Sequence, residues 1–191
     1  MRLCIDYRML NKVTIKNMYP LIRIDDLLEQ LKYASIFSKI ILISRYHQLR
    51  IKNLDTHKMT FKTKYGHYEF VVLSFGLTNA STTFKNLINN IFHEYLDKFI
   101  LLFLYDILIY SRNKYKHDYH LRKVLEVLRK HQHFGKLSNY EFYVPQFQYL
   151  RHIISIEGMF VDPKNIEVIM SWLAPTSMIE VISFMGLAGY Y

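Results

Sequence analysis

Residues 99–110, FILLFLYDILIY, form an apolar run that contains a single carboxylate, Asp106. This run is too short to cross a bilayer as a helix, which needs about 20 residues. It therefore predicts two short buried strands that fold back near Tyr105 and Asp106 as a β-hairpin. Because a buried carboxylate needs a partner, we expect Asp106 to face a cleft and contact a metal or a cationic group. An aspartate that only accepts hydrogen bonds from turn amides is the alternative interpretation.

The segments around this hairpin predict an α+β fold. Residues 36–51 indicate a strand that leads into a turn or short helix, and residues 59–73 alternate apolar and polar positions about a turn at Tyr65-Gly66-His67. Helical periodicity predicts amphipathic helices over 80–96 and 115–132, and strands follow over 141–144 and 147–155. This order favours an antiparallel sheet with helices packed on one face.

Capping residues mark three further helices. Asp25 is the predicted N-cap of a short helix, and Asp162 with Pro163 predicts the start of a helix that continues through Trp172. Residues 177–180, SMIE, form a capping box that opens a last, largely apolar helix. We expect the apolar side chains of that helix to need a partner.

The composition favours a polyanionic partner. The 191 residues include 25 Lys and Arg against 16 Asp and Glu, a net charge of +9, which fits nucleic acid; a merely basic protein is the plain alternative. Cys4 is the only cysteine, so an internal disulfide and a multi-cysteine zinc site are excluded. The first residues lack the apolar core of a signal peptide, so we expect an intracellular protein with no membrane partner.

Few side chains outside the central hairpin suggest chemistry. Catalysis by two metal ions needs carboxylates that bridge ions about 4 Å apart, and Asp106 is the one aspartate predicted in an apolar strand. His117 and His120 have helical spacing, but no cysteine or converging carboxylate accompanies them. We therefore expect exposed helical histidines there, not a zinc site.

Lysines alternate with aromatic residues in KMTFKTKYGHYEF, residues 58–70. Strand alternation would place Lys58, Lys62 and Lys64 on one face of a hairpin, where they could lie along a phosphate backbone. The solvated face of an ordinary antiparallel sheet is an equally good interpretation.

Several segments together resemble the reverse transcriptase of gypsy-type long-terminal-repeat retrotransposons. They occur in the family's order: CIDYRMLNKV (4–13), FSKIILISRYHQLRI (37–51), KMTFKTKYGHYEF (58–70), FGLTNA (75–80), FLYDILIYS (103–111), LRHIISIEGMFVDP (150–163) and SFMGLAGYY (183–191). The resemblance implies a right-hand polymerase, with fingers and palm in residues 1–160 and an incomplete thumb beginning in 161–191. It also implies descent from RNA-directed DNA polymerases, which are nucleotidyltransferases that use Mg²⁺.

Two departures from the family pattern fall on its metal ligands. The positions of Ile41 and Tyr105 are aspartates in the family, so Asp106 is the only remaining catalytic and metal-binding residue that the resemblance implies. Isoleucine and neutral tyrosine are poor ligands for magnesium. We therefore expect no stably bound cofactor and no polymerase activity. We also expect Asp106 to lack a compensating charge, so that an Asp106→Asn substitution leaves stability unchanged or raises it.

Other positions match the family's nucleotide-handling residues. The resemblance implies that Arg2 contacts a triphosphate, that Tyr46 blocks a ribose 2′-hydroxyl, and that Phe75 and Gly76 lie beside an incoming deoxynucleotide. Without metals, Arg and Lys alone would neutralise the triphosphate, so we expect weak deoxynucleotide binding. A non-enzymatic module that binds primer-template RNA or DNA and a translated relic without function are the alternatives to a degenerate polymerase fragment.

Overall fold

The computed structural model describes residues 5–17, 24–42, 45–103, 106–149 and 152–189. Six helices lie within these ranges: α1 (Arg8–Val13), α2 (Ile24–Leu31), α3 (Ala80–Phe92), α4 (Lys114–Lys130), α5 (Pro163–Met170) and α6 (Met178–Ala188). The strands are β1 (Ile36–Ile41), β2 (Thr60–Thr63), β3 (Gly66–Glu69), β4 (Ile100–Phe103), β5 (Asp106–Ser111), β6 (Glu141–Val144), β7 (Gln146–Tyr149), β8 (His152–Ser155) and β9 (Gly158–Val161). None of these helices is long and apolar enough to cross a membrane.

The central sheet is antiparallel and has the strand order β4-β5-β1-β6. The hairpin predicted over 99–110 is confirmed, since β4 and β5 pair from Ile100–Ile109 to Phe103–Asp106. Asp106 is therefore the first residue of β5, beside the hairpin tip. Leu104 and Tyr105 at the tip lie outside the described residues.

One face of this sheet packs on two helices, as predicted. Ile40, Ile107 and Ile109 are fully or almost fully buried against side chains of α3 and α4. Phe84 and Phe92 supply the α3 side of this core, and Leu121, Val124 and Leu128 supply the α4 side. Helical periodicity alone identified these two apolar faces because each helix buries one continuous stripe.

The other face is covered by a second sheet. Phe37 of β1 is fully buried, and its ring lies 5.0 Å from the ring of Phe147 in β7. β7, β8 and β9 form an antiparallel sheet, and Ile154 of β8 joins the same core with Leu31 of α2. The prediction of one strand over 147–155 was therefore wrong, because the segment belongs to two strands, β7 and β8, and no glycine, proline, asparagine or aspartate marks the division between them in the sequence.

The predicted helix ends were only partly correct. Asp162 caps α5, with its carboxylate accepting from the Lys164 amide at 3.0 Å, as predicted. Ser177 caps α6, but the Glu180 carboxylate accepts from the Thr176 amide at 2.7 Å. Asp25 lies inside α2, which begins at Ile24, so its assignment as N-cap was wrong. The helix predicted over 80–96 ends at Phe92.

His117 is fully buried, so the expectation of an exposed helical histidine was wrong. Its Nε2 lies 2.7 Å from the Ser38 hydroxyl of β1, and its Nδ1 lies 2.9 Å from the Ser111 hydroxyl of β5. Burial, reinforced by neighbouring His120, lowers the pKa of His117 to about 4. The neutral imidazole therefore acts as a polar bridge between α4 and two strands of the central sheet.

Candidate active site

Ile41 and Asp106 lie directly opposite each other on adjacent strands. Opposed residues of an antiparallel pair point to the same face, with Cβ atoms about 4.5–5.5 Å apart. Two carboxylates in this arrangement could share one ion, whereas the isoleucine side chain offers no ligand atom. The strand register thus places the substitution at 41 beside the remaining carboxylate.

Asp106 contacts a cationic group, which is one of the two kinds of partner expected for a carboxylate in this apolar run. The Lys39 ammonium lies 3.1 Å from an Asp106 carboxylate oxygen, and both side chains are only about a quarter exposed, 23% and 27%. Lys39 lies two residues before Ile41 and so points to the same face of β1. The expectation that Asp106 lacks a compensating charge was therefore wrong.

The described residues do not fit a site for two divalent ions. They contain no group of three or more His, Cys, Asp or Glu side chains that could hold a metal. At the strand pair itself, one position is apolar and the carboxylate at the other contacts an ammonium group. A second cation would have to displace or repel Lys39, which costs electrostatic energy.

The structure brings three of the four predicted nucleotide-handling residues together. The ring of Tyr46 meets the ring of Phe75 edge-on at 5.0 Å, and Gly76 is the next residue along the chain. The Tyr46 hydroxyl lies 2.9 Å from the Ser81 hydroxyl at the start of α3. Arg2 lies outside the described residues.

The turn at Gly76 is supported by α1, which the sequence analysis did not associate with the site. Gly76 has a φ of +94°, a conformation that favours glycine. The Asn11 side chain donates to the Gly76 carbonyl at 2.7 Å and accepts from the Thr78 amide at 2.9 Å. Asn11 therefore holds both sides of this turn. In the sequence, the one indication of a role for Asn11 at the site was the assignment of residues 1–160 to fingers and palm by resemblance.

The three predicted nucleic-acid-binding lysines do not share one strand face. Lys62 lies on the exposed side of β2, and Lys64 lies in the following turn with its ammonium 4.7 Å from the centre of the Tyr65 ring. Lys58 lies in a 3₁₀ helix before β2 and pairs with Asp55 at 2.6 Å. Its placement on the hairpin face was wrong because a helical turn interrupts the alternation.

This arrangement of sheets and helices is the fold of a reverse transcriptase. The structure of the foamy viral protease-reverse transcriptase in complex with double-stranded DNA matches 99% of the chain with a TM-score of 0.85, at 18% sequence identity and over 33% of that chain. A structure of the same viral protein with an RNA/DNA hybrid matches with a TM-score of 0.76 at 18% identity, over 97% of this chain and 25% of that one.

The chain belongs to the reverse transcriptase (RNA-dependent DNA polymerase) family, whose sequence profile matches residues 1–154. It is 51% identical over 129 residues to an RNA-directed DNA polymerase homolog of Oenothera berteroana, covering 66% of this chain and 91% of that protein. It is 35% identical over 190 residues to the retrovirus-related Pol polyprotein from transposon 297 of Drosophila melanogaster. That match covers the whole chain but only 18% of the polyprotein. The chain is thus a reverse transcriptase domain of the retrotransposon Pol type.

Proposed function

We propose that this domain binds primer-template nucleic acid in a polymerase cleft but does not transfer nucleotides. One observation carries the proposal: Ile41 lies opposite Asp106, and the Asp106 carboxylate contacts Lys39. Residues 1–160 would form fingers and palm, and residues 161–191 would begin a thumb.

Loss of the metal ligands affects the chemistry more than the binding. Reverse transcriptases generally use divalent metal ions, and we propose that this domain holds no magnesium stably. Transfer of a phosphoryl group depends on neutralising the charge that develops on its oxygens. Lys39 contributes one positive charge at this strand pair, but its contact with Asp106 already offsets that charge.

The predicted nucleotide pocket would combine aromatic side chains with a positive charge. The contacting rings of Tyr46 and Phe75, with the turn at Gly76, offer a surface for a sugar. Arg2 would supply a positive charge for the triphosphate. Positive side chains alone would have to neutralise that triphosphate. We therefore propose that deoxynucleotides bind weakly.

Nucleic-acid binding is supported by charge and exposed aromatic rings. Within the basic hairpin, residues 60–69, Lys62 and Lys64 are exposed, and Tyr65 and Tyr68 expose 78% and 48% of their surface. Lysines neutralise phosphates irrespective of sequence, and exposed aromatic rings offer stacking surfaces. The solved relatives bound to double-stranded DNA and to an RNA/DNA hybrid fit this interpretation.

Substituting both exposed hairpin lysines, Lys62→Gln with Lys64→Gln, should weaken primer-template binding. Each phosphate contact contributes about one unit to the slope of log affinity against log salt, so the slope should fall by about 2. Fluorescence anisotropy of a labelled primer-template in EDTA measures both quantities, since this binding should not require magnesium.

The matched control carries Arg129→Gln with Lys130→Gln, which removes the same charge from the last turn of α4. This control should retain the affinity and salt slope of the parent protein. Equal losses in the two variants would indicate attraction by net charge alone. Absence of salt-dependent binding in the parent would contradict the proposed function and favour a relic.

A further inference from the structure

A cavity lies at the end of the central sheet opposite to Asp106. Its volume is about 560 Å³, within the range of small-ligand sites. It opens where β4 begins and β5 ends, with α2 on one side and α4 on the other. Arg112 follows Asp106 by six positions, and six residues of extended strand span about 20 Å. The distal cavity, as we call it, is therefore separate from the candidate active site.

The charge lining the distal cavity is positive. Lys98, Arg112 and Lys116 line it, against one acidic residue, Asp97. Arg112 lies just before the N-cap of α4 and Lys116 lies in its first turn, where the helix dipole also favours an anion. Three cationic groups around one concave surface match a phosphate ester better than a neutral ligand.

Aromatic rings accompany these charges. Tyr33 and Tyr119 line the cavity and expose 62% and 58% of their surface. The Arg112 guanidinium lies over the Tyr33 ring at 4.8 Å from its centre. This cation–π contact holds the guanidinium in place against the ring. Exposed rings next to cations are typical of sites that stack a base and pair with its phosphate.

The wall of the cavity is held in place by buried contacts. The His120 ring stacks on Phe99 with centroids 4.0 Å apart and an interplanar angle of 5°. The Ser111 hydroxyl lies 2.8 Å from His120 Nδ1 and 2.9 Å from His117 Nδ1, so the wall connects to the buried His117 bridge. Such fixed walls lower the cost of ordering side chains when a ligand binds.

We propose that the distal cavity binds a nucleotide, either free or as part of a single strand, with its phosphate on Arg112 and Lys116 and its base on Tyr119. This site does not depend on the polymerase cleft or on a metal. It gives the domain a second contact for nucleic acid, lined by none of the residues of the basic hairpin.

The test uses the purified chain in EDTA, with a labelled single-stranded oligothymidylate as the probe in fluorescence anisotropy. Arg112→Gln with Lys116→Gln should weaken binding by about tenfold or more and lower the salt slope by about 0.7, because the two cations hold one phosphate of a single strand. Tyr119→Ala should weaken binding by about tenfold with an unchanged salt slope, because it removes stacking without removing charge. Competition by thymidine monophosphate then separates the two sources: displacement shows that a free nucleotide suffices, and its absence shows that the site needs a strand.

Two control variants make the result specific. Arg129→Gln with Lys130→Gln removes the same charge elsewhere on α4 and should bind the oligothymidylate like the parent. Lys62→Gln with Lys64→Gln changes the basic hairpin instead and measures the separate contribution of the hairpin to binding of the strand. The proposal is overturned if Arg112→Gln with Lys116→Gln binds like the α4 control. It is also overturned if only the hairpin variant loses affinity, a result that would leave the proposed function intact.

Discussion

Replacing Lys39 with methionine should lower the free energy of unfolding by about 2 kcal/mol at neutral pH. Methionine keeps most of the side-chain volume but removes the ammonium that lies 3.1 Å from the Asp106 carboxylate. Breaking a fully buried pair costs about 3–5 kcal/mol and an exposed pair contributes about 1 kcal/mol or less. Two side chains that are each about a quarter exposed should fall between these limits.

A double-mutant cycle measured by denaturant unfolding isolates this pair. Asp106→Asn should also destabilise the protein, and the Lys39→Met, Asp106→Asn double variant should lose less than the sum of the two single losses. Lys130→Met on the exposed last turn of α4 is the matched control and should change stability by less than about 0.5 kcal/mol. If Lys39→Met is as stable as the parent, or if the two single losses add up to the loss in the double variant, the contact contributes little to the free energy of unfolding.

Restoring two carboxylates, Ile41→Asp with Tyr105→Asp, should create metal-dependent stability. Without metal, an aspartate opposite Asp106 adds like-charge repulsion, so this variant should be less stable than the parent in EDTA. A metal ion at a concentration about a hundredfold above its Kd stabilises the folded state by about 2.7 kcal/mol. For a domain of this size the melting temperature should then rise by about 5–10 °C on adding Mn²⁺.

The matched control is Ile41→Asn with Tyr105→Asn, whose amides have similar shape and no charge. This control and the parent should show little change in melting temperature when Mn²⁺ replaces EDTA. An equal shift in the aspartate and asparagine variants would show that the strand pair does not define the metal site. A large shift in the parent would show that the parent already holds the ion.

Much of the fold follows from local patterns. The hairpin over 99–110 was predictable because it is a continuous apolar run, and the helices α3 and α4 were predictable because each has one apolar stripe. The division of residues 147–155 between β7 and β8 was not, because no glycine, proline, asparagine or aspartate interrupts that segment. The burial of Phe37 against Phe147 depends on a contact between distant parts of the chain, which periodicity does not encode.

The site was predictable in composition but not in contacts. Asp106 and Ile41 were identified from the sequence, yet only the strand register places them opposite each other and brings Lys39 to the same carboxylate. Lys58 was misplaced because a 3₁₀ helix precedes β2. His117 was misjudged because a histidine was not counted with the apolar residues, although it lies four residues before Leu121 on the buried stripe of α4.

Primer extension by the purified domain shows directly whether it binds primer-template without transferring nucleotides. A labelled primer-template is incubated with all four deoxynucleotides and either Mg²⁺ or Mn²⁺, while anisotropy on the same samples records binding. We expect salt-dependent binding with no extension above a heat-inactivated control, because Ile41 and Lys39 occupy positions beside Asp106 where a divalent ion would need ligands. Template-dependent incorporation of nucleotides by the parent protein would contradict this expectation.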